Sequence, residues 1–293
     1  MYWHFYEKHE KKLFVIPMIL LIASIIIVTS HYLKTGDVFD KDVSLKGGIS
    51  VTLQTSEDAK ALEGKLYDYL KKDVSVRKLT EFGTERQTGL LIEVSDVDRD
   101  DFRNAIESVT GAKLTGDNYS REETGSSLGR SFYQQMARAM LLAFLFMAIV
   151  VFVIFRIPIP SLAVIFCAFS DIVTTIAFID VVGIKLSTSG IAALLLLIGY
   201  SVDTDILMTT RVWKRKEGPI MQRFFSSMET GLTMTATALI AVTLGYFLSN
   251  SYVLQQMFII LAVGLCSDII YTYLQNGRIL LWYVRKKEGV VNG

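Results

Sequence analysis

Cysteine is scarce in this chain, and so is net charge. The two cysteines, Cys167 and Cys266, both fall inside apolar runs, which excludes a disulfide framework and a thiolate metal cluster. The formal net charge is +1, so no broad surface for nucleic acid is indicated. No P-loop occurs, and Gly47-Gly48 alone reads as a turn. The apolar runs lack charge almost entirely: residues 13–32 contain no acid and no strong base.

What is present is hydrophobic. The chain is 51% hydrophobic yet 20% charged, with a mean hydropathy of +0.40. The two coexist because they are segregated along the sequence. The run 13–32 is long enough to cross a hydrocarbon core of roughly 30 Å at about 1.5 Å per residue. It is longer and richer in isoleucine than the apolar part of a signal peptide, and reads as an uncleaved anchor. Five more runs follow at 136–155, 161–180, 189–209, 229–248 and 254–275. Pro158 and Pro160 separate two of them, ending one helix and starting the next.

Basic residues fix an expected orientation. Lys8, Lys11 and Lys12 precede the first run, and Arg156 lies between the second and third. Arg211, Lys214, Arg215, Lys216 and Arg223 surround the fourth-to-fifth linker, and Arg285, Lys286 and Lys287 form the tail. With six spans all of these fall on one side, and the opposite short loops offer only Lys185. The expected layout is a cytoplasmic N-terminus (1–12), a first transmembrane helix (13–32), an extracytoplasmic domain (33–133), a five-helix bundle (134–284) and a basic cytoplasmic tail (285–293).

The 33–133 segment has α+β patterning. Strands are predicted at 48–54, 74–80 and 89–95, with a last one near 111–119. Helices are predicted at 57–72 and 98–108, where Leu62 and Leu66, then Phe102, Ala105 and Ile106, recur at helical spacing. The order β-α-β-β-α-β is that of a ferredoxin-like fold. No histidine, cysteine or clustered acid marks a catalytic centre there, so the segment reads as a binding or relay module.

Acids in the membrane runs carry the functional signal. An aspartate near the centre of a spanning helix costs about 2.5–3.5 kcal/mol. Asp171 is near the middle of the third run, Asp203 lies about 6 Å from the middle of the fourth, and Asp268 lies at similar depth in the sixth. Asp180 sits at a helix end, where water or headgroups are expected. The deep acids suit either a structural hydrogen bond or a relay of protons or ions. Asp203 and Asp205 are two apart and point about 200° from each other, so only one faces the bundle interior. Thr230, Thr233, Thr235 and Thr237 offer hydroxyl partners, although with Gly231 they also suit close helix packing. Intramembrane aspartyl proteolysis is excluded, because Gly199-Tyr200-Ser201-Val202-Asp203 fits none of its signatures.

One helix, an external domain and five helices make half of the resistance-nodulation-division layout. The segment Ile198-Gly199-Tyr200-Ser201-Val202-Asp203-Thr204-Asp205 resembles the fourth-helix motif of the SecF family. Lys46-Gly47-Gly48, Gly125-Ser126-Ser127-Leu128-Gly129, Phe155-Arg156-Ile157-Pro158, Phe169-Ser170-Asp171 and Thr230-Gly231-Leu232-Thr233-Met234-Thr235 resemble other stretches of that family. The Pro-x-Pro linker and the Asp-Thr-Asp version resemble its archaeal branch. The resemblance implies a non-enzymatic subunit of the protein-export machinery in the cell membrane. It implies a SecD-like partner, the Sec translocon, a translocating polypeptide and the lipid bilayer as contacts, with no cofactor, no metal and no nucleic acid. It further implies use of the proton motive force through intramembrane acids. Asp203 comes first as ion-relay candidate, then Asp205, with Asp171 and Asp268 beside them and Tyr200, Thr204, Thr230 and Thr233 in support. Two departures stand out. Bacterial relatives place the acid at the position of Thr204, and an arginine where Glu229 stands here. A non-transducing assembly factor and a small-molecule exporter are the alternative readings.

Overall fold

A helix satisfies its own backbone polar groups, so long apolar runs become helices where water is absent. The computed structural model describes residues 6, 9–10, 12–72, 74–80, 87–95, 97–111, 113–115, 119–124, 126–215, 218–249 and 251–289. Among them, 6 helical segments are long and apolar enough to cross a membrane. They are α1 (Val15–Thr35), α5 (Ser126–Phe155), α6 (Pro158–Val182), α7 (Thr188–Thr209), α8 (Ile220–Leu248) and the continuous rod of α9 (Tyr252–Ile270) and α10 (Gly277–Lys287). A π-helical turn, Tyr271–Asn276, joins the two parts of that rod, and a second, Thr210–Lys214, extends α7. Pro158 opens α6 at its first position, where its missing N–H costs nothing.

Several helices run further than the apolar windows. α5 begins ten residues before 136 and α8 nine before 229, while the last rod continues to Lys287. Their added turns interleave polar and basic residues with apolar ones, so hydropathy alone marked only the apolar middle of each helix.

The α/β domain lies between α1 and α5. A short helix α2 (Val43–Lys46), capped by the Asp42 carboxylate accepting from Val43 N–H, leads into β1 (Gly48–Leu53). Then come α3 (Ala59–Leu70), β2 (Val74–Thr80), β3 (Gln87–Val94), α4 (Arg99–Thr110) and β4 (Tyr119–Thr124). The four strands form one antiparallel sheet in the order β2-β3-β1-β4. Ile49, Val51 and Leu53 alternate inward from β1 and join Leu62 and Leu66 of α3 with Phe102, Ala105 and Ile106 of α4. Both helices therefore share one face of the sheet.

The last strand differs from expectation. The 111–119 segment is mainly a connection: Gly111 ends α4 in the left-handed conformation, and Leu114 plugs the core. Its N–H donates to Glu107 and its carbonyl accepts from Arg103. β4 follows, paired with β1 from Gly48↔Thr124 to Leu53↔Tyr119. It is an edge strand with the sequence YSREET, and charged edges carry little hydrophobic alternation.

The bundle has two distinct ends. At one, the domain linker is tied to the α6–α7 loop, because Leu186 N–H donates to Asp40 carbonyl and Asp42 N–H donates to Leu186 carbonyl. At the other lie the basic segments. Glu10 accepts from Arg278 and Arg285, Arg223 binds Glu288 with two hydrogen bonds of 3.1 Å, and Lys214 donates to Ile154 carbonyl.

Candidate ion-relay site

Asp171 on α6, Asp205 on α7 and Asp268 on α9 are buried, at 1%, 0% and 1% exposure. Along their helices they fall between an apolar layer around Ile176, Leu194 and Ile260 and another around Met208, Phe224 and Leu280. The three carboxyls lie close enough to act on one another electrostatically.

Each acid accepts from a neutral donor. Ser201 Oγ donates to Asp171 Oδ2 at 2.5 Å. Thr204 Oγ1 and Thr272 Oγ1 donate to the two oxygens of Asp268 at 3.1 and 3.0 Å. Asn276 Nδ2 donates to Asp205 Oδ1 at 2.7 Å. Asp268, Thr272 and Asn276 follow one another at intervals of four through the π-helical turn, which aims all three into the cluster. Cys167 Sγ lies 3.7 Å from Thr272 Oγ1.

Among the described residues no lysine or arginine pairs with these acids, and Asp171 Oδ1 and Asp205 Oδ2 are buried without a hydrogen-bond partner. Three carboxyls on three separate helices thus converge in a water-poor layer with fewer donors than lone pairs. Such a cluster takes up a proton or a small cation more readily than it holds three bare charges.

The sequence candidates divide accordingly. Asp205, Asp171, Asp268 and Thr204 come together. Asp203, placed first from the sequence, is exposed on the far side of α7, as the 200° separation requires. Tyr200 donates instead to Met234 carbonyl on α8 at 2.9 Å. Thr233, Thr235 and Thr237 bond back to carbonyls of their own helix, and Thr230 accepts from Arg211 Nη1. None of these touches the acids. Gly231 packs against the Tyr273 hydroxyl, so that stretch of α8 serves close approach. Glu229 is exposed. Ser201, Thr272 and Asn276 escaped the sequence reading, although polar residues four apart in an otherwise apolar run were a legible signal. Asp180 departs from the expected wet helix end: its side chain is 10% exposed and lies against His31.

A family profile described as "Protein export membrane protein SecD/SecF, C-terminal" matches residues 105–286. Curated relatives include the protein-export membrane protein SecF of Methanolacinia petrolearia, 37% identical, with the alignment covering 94% of each chain. The SecF of Pyrococcus furiosus is 35% identical over 97% of this chain and 94% of its own. Among solved structures, SecDF of Thermus thermophilus, a translocon-associated membrane protein, superposes with a TM-score of 0.75 at 17% identity. That match covers 94% of this chain and 38% of the SecDF chain, so the protein spans well under half of the solved one. On the sequence relationships, with the shared fold beside them, the chain belongs to the SecF family of protein-export membrane proteins.

Proposed function

We propose that the protein is an accessory subunit of the Sec export machinery that works beside a SecD-like partner and couples export to ion movement through Asp171, Asp205 and Asp268. The observation that carries the coupling is the convergence of three buried carboxyls with no basic partner among the described residues. A helix shift of an ångström changes which oxygens are satisfied, so protonation state and helix packing are linked. The α/β domain, tied to the α6–α7 loop through Leu186, is positioned to follow such shifts and to hold an emerging polypeptide.

The basic segments that meet at one end of the bundle support cytoplasmic termini and an extracytoplasmic α/β domain. The β-α-β-β-α-β order and the β2-β3-β1-β4 sheet support a ferredoxin-like reading of that domain. The SecD-like partner fits against α7 and α8, where Tyr200, Thr233, Met234, Thr237, Ala238 and Ala241 line a groove of about 440 Å³. Asp203 stands on the exposed side of α7 and belongs to that interface rather than to the acid cluster.

The decisive experiment compares wild type with Asp205→Asn and Asp268→Asn, in reconstituted vesicles with the partner and in an export assay. Loss of ion flux and of export in both variants, with partner recovery unchanged, is the expected result. Unaltered flux and export would overturn the coupling. Lost partner recovery would make the acids an assembly feature. That second reading draws on the Ser201, Thr204, Thr272 and Asn276 hydrogen bonds, which also suit a structural role.

A further inference from the structure

Away from the acid cluster, His31 in the last full turn of α1 stands between two carboxyls. Its Nδ1 lies 2.6 Å from Asp180 Oδ1 on α6, and its Nε2 lies 3.9 Å from Asp40 Oδ1 in the linker to the α/β domain. The His31 and Asp180 side chains are 12% and 10% exposed, whereas Asp40 is 46% exposed.

The shorter distance is that of a hydrogen bond, so Nδ1 carries a proton and donates it to Asp180. In the neutral ring Nε2 then presents its lone pair. That atom is buried and has no hydrogen-bond partner. It faces a carboxylate oxygen that lies beyond hydrogen-bonding reach. A lone pair and a carboxylate oxygen opposed in this way repel unless a proton on Nε2 or a metal ion lies between them. A carboxylate on Nδ1 that fixes the ring, with Nε2 left to coordinate, is the usual setting of a metal-ligating histidine.

A divalent ion sits about 2.0–2.2 Å from imidazole nitrogen and carboxylate oxygen. The 3.9 Å gap accepts such an ion between Nε2 and Asp40 Oδ1 with a small closing movement. One ligand atom from each of His31, Asp40 and Asp180 lies within 4.8 Å of the others. Two carboxylates and a neutral imidazole balance a dipositive charge. Mixed nitrogen and oxygen donors favour zinc over calcium or magnesium, which prefer all-oxygen sites. The neighbouring ammonium of Lys41 is directed elsewhere, to Asp37 and over the Tyr133 ring.

We propose that His31, Asp40 and Asp180 form a zinc site that clips the first spanning helix and the domain linker to α6. His31 Nε2 and Asp40 coordinate the ion, Asp180 orients the imidazole and adds charge, and water completes the shell through the exposed edge of Asp40.

The test uses the full chain in detergent, carrying an affinity tag without histidine, stripped with chelator and then dialysed against zinc. Wild type is expected to retain about one zinc per chain by elemental analysis, and to give a cobalt spectrum of low coordination number. His31→Gln and Asp40→Asn lose both signals, Asp180→Asn binds about 10–100-fold more weakly, and His9→Gln behaves as wild type. Zinc raises the melting temperature of wild type and not of His31→Gln. If His31→Gln does not fold, Asp40→Asn, altered at a half-exposed linker residue, decides alone. Wild type that retains no zinc, or variants that retain and respond to it equally, overturn the proposal.

Discussion

Glu93 on β3 is a carboxyl placed where charge is costly. It is 5% exposed and lies 3.8 Å from Arg77. Burial first, and then the Asp42 carboxyl, push it from 4.5 up to about 8. The folded domain keeps this proton over a range in which the unfolded chain has released it. The stability it confers is complete below about 4.5 and is lost as pH rises to about 8. The melting temperature of wild type should therefore fall across that interval, and Glu93→Gln should flatten the fall; thermal unfolding at several pH values measures both. In the membrane, Asn276→Leu removes the donor to Asp205 and should cost about 1–3 kcal/mol, read from unfolding in mixed detergent. How legible such residues were depended on what fixes them. Asp171, Asp205 and Asp268 were visible because any acid in an apolar run is an anomaly. The choice between Asp203 and Asp205 was not, since it depends on how α7 is rotated about its axis, and that rotation is set by neighbours on α6 and α9.

Elements show the same division. β1 and the cores of α3 and α4 were readable because one buried face imposes a period. β4 was displaced in the sequence reading because its pairing with β1 comes from backbone hydrogen bonds and leaves no apolar trace. The two glycine motifs were visible but their purpose was not. They meet in space: a Cβ on Gly129 would lie 2.5 Å from the backbone nitrogen of Gly47, where the start of α5 crosses the entry to β1. Gly129→Val should push α5 off that junction at about 1–3 kcal/mol, the usual cost of overpacking. Faster proteolysis of the linker before β1, with an unchanged acid cluster, is the signature to measure.

For the whole molecule, six spans and an inserted α/β domain were legible because hydropathy and the placement of lysine and arginine report on solvent directly. Partner surfaces were not, since an apolar face meeting lipid and one meeting another helix have the same composition. If the groove beside Tyr200 receives a SecD-like chain, Ala238→Trp should cut its recovery in pull-downs several-fold while leaving the chain's own melting unchanged. Glu10 bonds to Arg285 across 275 positions, at the end of the last rod. Synthesis at about 5–20 residues per second separates the two by roughly 14–55 s. Throughout that wait the segment leading into the first helix carries an acid whose partners have yet to be made. A chain that ends inside the sixth span before Arg278 therefore lacks both of the arginines that Glu10 binds in the folded protein.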